Sequence, residues 1–347
     1  FQAEDGIRDV ERSRGLGDVY KRQIKEKAKD VEVSDNSIVA VLTESYVRTY
    51  DLDSRLPLAK VNVEAYSVDI NGSTVAIASD GKITLFNAES GSVIASFQSN
   101  GKRVSLSSRY VGGVLKESVE IFRLTDKKFL GQIGYKAKIV DIDYDPYFDV
   151  LAVAFGQEVK FYSLKKQKFI GGVATFGKIN RIDVLNGTLA VLEENHIEFF
   201  TYNGTRKSYA NISHCSFISL SPYSLAAVGC NNILRIYNTD SGAKIDENSF
   251  SDSNLTDIEW SPRNYSIATS YRDKTIKVIR THFYGGFELK PLRIFENSTP
   301  ISIRYISGGK RLLAYFEDGY VKVYNETDGS TISQFYLGKN VTNISYS

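Results

Sequence analysis

The sequence predicts an all-β fold, a β-propeller of four-stranded antiparallel blades in eight repeats, and three recurring features predict it. A short word, apolar–x–apolar followed by a polar residue, starts at Val31, Val68, Val104, Ile142, Ile182, Ile218, Ile258, Ile303 and Ile344, in steps of 36 to 45 residues. Eight to eleven residues after each of the first eight starts, an apolar run carries a small residue: Ala40, Ala76, Gly112, Ala152, Ala190, Ala226, Ala268 and Ala314. A further strand then carries a large apolar residue, at Tyr50, Phe86, Phe122, Tyr162, Phe200, Tyr237, Ile279 and Tyr324. A repeat of about 40 residues containing only short strands is the mark of propeller blades.

Each element has a local reason. The first strand of a unit ends at Ser221-Pro222 and Ser261-Pro262, because proline cannot donate to a strand ladder. The small residue suits a place where sheets pack face to face or converge on an axis. Asp80-Gly81 and Asp318-Gly319 suit the tight turn that follows, since glycine accepts a positive φ. A looser fourth strand closes each unit, as in SVIASFQ at 92–98 and STISQFY at 330–336. No segment carries a long apolar stripe of helical period.

The blades are expected at 31–64, 65–100, 101–136, 137–177, 178–213, 214–253, 254–298 and 299–340, with 341–347 starting a further strand. Either eight blades close one ring, or seven close and the remainder begins a second propeller. Residues 1–23 lack both hydrophobic periods and contain five acidic residues, too many for a targeting peptide. They resemble the translated read-through of a sequencing adapter and are expected to be a non-native, disordered leader. With methionine absent throughout, the chain reads as a fragment.

The four-strand order, the Ser-Pro after the first strand, the Leu-Ala of the second and the aromatic of the third resemble the WD-repeat family over residues 24–347. The match is degenerate. No unit has the Gly-His pair between blades, and none ends its third strand in Trp-Asp. Asp80, Asp273 and Asp318 stand where the family's turn aspartate would, without the rest of its hydrogen-bond network. The resemblance implies a non-catalytic scaffold for protein–protein interaction, a subunit of a larger intracellular complex in the cytoplasm or nucleus. The alternatives are a propeller enzyme and a ligand- or phosphoinositide-binding propeller.

Composition narrows the chemistry. The 347 residues are 42% hydrophobic and 24% charged, enough apolar material for a packed core. With 43 basic and 41 acidic residues the net charge is +2, which argues against a broad nucleic-acid-binding surface. No apolar run reaches the length of a membrane span. Phosphate-cradling and nucleophile-elbow words are missing, and no Arg-Arg-Gly is present to grip a lipid phosphate. Neither an enzyme nor a cofactor is expected, and the partners implied are other proteins.

The DIDYDP run at 141–146 has a calcium-loop spacing but places Pro146 and Ala152 where glycine and glutamate are needed, so it reads as a strand running into a solvated turn. His196, His214 and His282 lie in three different units, without zinc-like clustering. Cys215 and Cys230 oppose one another across a hairpin, most simply as two small buried residues, with a disulfide or a partial metal site as alternatives. Ten N-x-[ST] words occur, in keeping with turn composition. The longest connection, THFYGGFELKP at 281–291, is the candidate partner-binding loop, with His282, Phe283, Tyr284 and Phe287 as its contacts.

Overall fold

The computed structural model describes residues 28–336 and 344–346, apart from 35, 55, 135–136, 283–285, 289–290 and 307. The leader at 1–23, and Phe283 and Tyr284, lie outside the described residues. What is described is eight four-stranded antiparallel sheets, each formed by one contiguous stretch of chain, with no helix among them.

The innermost strands are Asp30–Val33, Ser67–Asn71, Arg103–Leu106, Ile139–Asp145, Ile179–Leu185, Cys215–Leu220, Leu255–Trp260 and Pro300–Ile306, in blades 1 to 8. Second strands such as Val150–Phe155, Leu225–Cys230 and Ser266–Tyr271 are buried along their whole length, because blades pack on both faces. The buried apolar residues fall into eight clusters, one at each blade–blade interface. One of these joins Ile306, Leu313 and Val323 of blade 8 to Val31, Val39 and Tyr50 of blade 1, so all eight blades close a single ring. The ninth word adds a parallel strand, Ile344–Tyr346, along the inner edge of blade 1.

Register explains the repeated small residue. In blades 1 to 5 and 7 it stands directly across from the middle residue of the first-strand word: Ala40 from Glu32, Ala76 from Asp69, Gly112 from Ser105, Ala152 from Asp143, Ala190 from Asp183 and Ala268 from Glu259. In blade 6 the residue in that register is Ala227, facing Ser219, and in blade 8 it is Leu313, facing Arg304. Paired side chains share a face of the sheet, so a small residue leaves room for a polar neighbour aimed at the next blade. The third-strand aromatic has its own partner feature. A register shift toward the fourth strand falls at or next to Tyr50, Phe86, Phe122, Tyr162, Phe200, Tyr237 and Tyr324. Blade 7, which has Ile279 instead, pairs its third and fourth strands without a shift. Gly81 and Gly319 take positive φ, as their turns require.

The cysteines depart from their simplest reading. Cys215 and Cys230 are register partners at one end of blade 6 and are joined by a disulfide. Both are buried, so burial and bonding go together here. The bond closes a loop with a sequence separation of 15, for which chain entropy gives a stabilisation of about 3 kcal/mol. The hairpin already restrains both ends, so reduction is expected to lower the unfolding free energy by about 1–3 kcal/mol. Urea unfolding with and without reductant measures it, and coincident curves would show the bond to be energetically idle.

Candidate interaction surfaces

The inner strands line a charged central channel. Along them, polar residues at alternate positions of several strands bond to the backbone of the next blade. Val68 N donates to Asp30 Oδ2 (3.1 Å), Leu106 N to Asp69 Oδ2 (2.6 Å), Leu220 N to Asp183 Oδ2 (2.6 Å), Trp260 N to Ser219 Oγ (2.9 Å) and Ile303 N to Asp257 Oδ2 (3.1 Å). The DIDYDP run makes three such bonds to blade 5: Ile182 N to Asp141 (2.9 Å), Val184 N to Asp143 (2.6 Å) and Gly187 N to Asp145 (2.8 Å). Its spacing is therefore that of alternate residues on one strand face. The solvated-turn reading is corrected at Asp145, which is fully buried and also accepts from Tyr202 Oη at 2.6 Å.

These carboxyls sit in a poor solvent for charge. Burial raises Asp30 to about 6 and Glu259 to about 8. It also raises Asp141. Asp143 and Asp183 are raised by burial, and Asp143 further by the charge of Asp183. Arg304 answers part of this charge, 2.8 Å from Asp257 and 3.6 Å from Glu259. Among the described residues, no group of three or more His, Cys, Asp or Glu is arranged to hold a metal ion. Most channel aspartates give one oxygen to the next blade and the other to their own strand.

The connection at 281–291 folds against the fourth strand of the neighbouring blade 6. Thr281 and Phe287 form an isolated antiparallel bridge, with His282 N donating to Gly286 O at 2.7 Å. Phe287 is buried, edge-to-face on Phe250 at 5.2 Å, and its N donates to Asp246 Oδ2 at 2.8 Å. His282 is exposed.

A second surface was not foreseen. The turns between first and second strands gather on one face of the ring, and in blades 4, 6 and 7 they carry aromatic residues. Tyr147 and Phe148 are 62% and 54% exposed. Phe148 lies against Gly187 of blade 5 and edge-on to Tyr202 at 6.1 Å. Asn186 Nδ2 then reaches Pro222 O of blade 6 (3.5 Å), and Tyr223 stacks on Tyr265 of blade 7 at 4.4 Å. The arc is held from below: Tyr147 N donates to Asp145 Oδ1 (2.8 Å) and Tyr223 N to Ser221 Oγ (2.9 Å). Its signal in the sequence is an aromatic one to three residues after a proline, in DPYF, SPY and SPRNY.

With eight closed blades in place, comparison identifies the class. The WD domain, G-beta repeat family matches residues 246–280, within blades 6 and 7. Asp273, in that segment, accepts from Thr275 Oγ1 (2.6 Å) and Ser251 Oγ (2.5 Å), a local remnant of a turn-aspartate network. The chain is a WD-repeat-like β-propeller. Similar solved structures include the computationally designed Ika8 protein, with 12% identity over 81% of this chain and 89% of that one and a TM-score of 0.65. The Chaetomium thermophilum Sqt1, bound to the N-terminus of the ribosomal protein L10, matches at 11% identity over 85% and 95%, with a TM-score of 0.66. Kluyveromyces lactis Hsv2 matches at 12% over 90% and 100%, with a TM-score of 0.55. At such identities the likeness is one of fold. The comparison with curated proteins gives no match.

Proposed function

We propose that this chain is a non-catalytic scaffold that binds other proteins, a subunit of a larger intracellular complex, with the aromatic arc of blades 4 to 7 as its principal docking face. The arc is the observation that carries the reading. Tyr147, Phe148 and Tyr223 are exposed, yet the backbones of Tyr147 and Tyr223 are pinned by buried groups and the Phe148 ring lies edge-on to Tyr202. Rigid aromatic side chains of this kind supply much of the binding energy at protein interfaces. Sqt1, a propeller of similar fold, is seen bound to a protein segment, which supports the class of partner. A charged channel would favour a propeller enzyme, but the channel aspartates here are engaged by backbone N–H groups of neighbouring blades, and Glu259 faces Arg304. Exposed His282 would extend contacts from a different connection.

Inside the cell thiols are kept reduced, so the working fold must tolerate an open Cys215–Cys230 pair. The test is cross-linking and affinity capture of the tagged chain in its native cells, followed by quantitative mass spectrometry. Replacing Tyr147, Phe148 and Tyr223 together by alanine is expected to weaken capture of specific partners by about 30-fold or more. Retention of every partner by that variant would remove the arc from consideration.

A further inference from the structure

The arc ends beside a basic pocket. At the seam of blades 7 and 8, on the same face, an open cavity of about 480 Å³ is lined by Arg263, Gly308, Gly309, Lys310, Arg311 and Glu326, among others. Arg263 lies two residues before Tyr265 in the same connection. Its guanidinium rests on Gly308, where an added Cβ would fall 2.5 Å from Arg263 Cζ. Gly308 and Gly309 have φ of 61° and 83°, so this floor needs glycine for its backbone as well as for its lack of a side chain.

The charges do not cancel locally. Arg311 is paired with Asp53 at 2.5 Å and donates to Ser37 Oγ at 3.1 Å. Glu326 is buried and accepts from Ser266 Oγ at 3.0 Å. That leaves Arg263 and Lys310, both exposed, with no ion pair among the described residues. Two uncompensated cations stand next to a stacked tyrosine pair, in a concavity sized for side chains.

We infer that this pocket receives the carboxylates of an acidic peptide segment, whose apolar or aromatic side chain lies along the Tyr223–Tyr265 stack. The inference rests on the scaffold reading and adds the chemistry of the partner. The Arg263 guanidinium, resting on Gly308, can take a carboxylate through two N–H groups, with Lys310 adding charge to the same pocket. A membrane surface fits less well, because the two cations stand in a concavity between blades that a peptide side chain can enter and a flat surface cannot.

Fluorescence anisotropy with a labelled twelve-residue peptide of alternating glutamate and glycine ending in tryptophan tests this. A lysine peptide of equal length and vesicles rich in anionic lipid serve as competing probes. The acidic peptide is expected to bind, to weaken with added salt, and to lose about tenfold or more in affinity with Arg263→Gln/Lys310→Gln. Circular dichroism melts confirm that this surface variant folds. Equal binding by the variant, tighter binding of the lysine peptide, no binding of the acidic peptide, or a vesicle affinity that alone responds to the variant would each overturn the inference. Loss of native partners in the arc variant but not in Arg263→Gln/Lys310→Gln would sink this chemistry while leaving the scaffold standing.

Discussion

Between pH 5 and pH 8 the protein is expected to become progressively less stable, by about 1.4 kcal/mol per pH unit for each carboxyl that titrates in the folded state across that range. Asp30 rises from 3.8 to about 6 and Glu259 from 4.5 to about 8, both chiefly through burial. Glu193 of blade 5 rises from 4.5 to about 7, through burial and its contact with Glu198. Each group holds its proton more tightly folded than unfolded. Its contribution is therefore complete below the unfolded value and is lost as pH climbs through the folded one. Carboxyls with lowered values, such as Asp126 at about 2 beside Arg123, act in the opposite sense. Their contribution is present above the unfolded value of 3.8 and is lost only as pH falls toward 2. The two windows meet near pH 4, at the unfolded values of 3.8 and 4.5, where stability should be greatest. Urea midpoints measured at half-unit steps of pH give the slope directly. Glu259→Gln should flatten its upper part, and a midpoint constant from pH 5 to 8 would refute the account.

How much of this was legible in the sequence depends on the range of the interaction. The blades were legible because period, turn residues and proline stops act within a few positions of one another. The seven third-strand aromatics even mark a register shift that their spacing alone could not express. The middle residue of the first-strand word was visible as a polar position in every unit, from Glu32 to Arg304. Its use was not, because the N–H met by Asp69, Asp143, Asp183 and Ser219 belongs to the next blade, some 40 residues away. The aromatic arc was hidden for the same reason. Tyr147, Tyr223 and Tyr265 are separated by tens of residues, and only ring closure sets their turns side by side. Length drew attention to 281–291 instead, yet Phe287 is claimed by Phe250 and Asp246. An aromatic residue in a long connection is as readily absorbed by a neighbouring blade as displayed.

Asp183 separates the two duties of a channel carboxyl, acceptor and charge, and its two substitutions should diverge. Its Oδ2 takes the Leu220 N–H of blade 6 at 2.6 Å, in an environment where that donor has no water to turn to. Alanine leaves the donor unpaired in the inter-blade wall, at a cost of about 1–3 kcal/mol at pH 5. Asparagine keeps an oxygen in place for Leu220 and offers Asp143 an N–H. It also removes a carboxyl that burial and Asp141 resist ionising. At pH 5 asparagine should therefore cost less than about 1 kcal/mol. At pH 8 the comparison should move in favour of asparagine, because burial and the neighbouring carboxyls oppose ionisation of the native pair whereas asparagine has no charge to bury. Ala190, directly across the strand, is fully buried and offers nothing to fill the void that alanine at 183 would leave, whereas asparagine keeps the shape of the site. If alanine and asparagine shift the urea midpoint alike at both pH values, the oxygen is not what holds blade 5 to blade 6. Divergence only at high pH would assign the residue's effect to charge alone, and divergence at pH 5 as well would show that the ring is stitched through its channel.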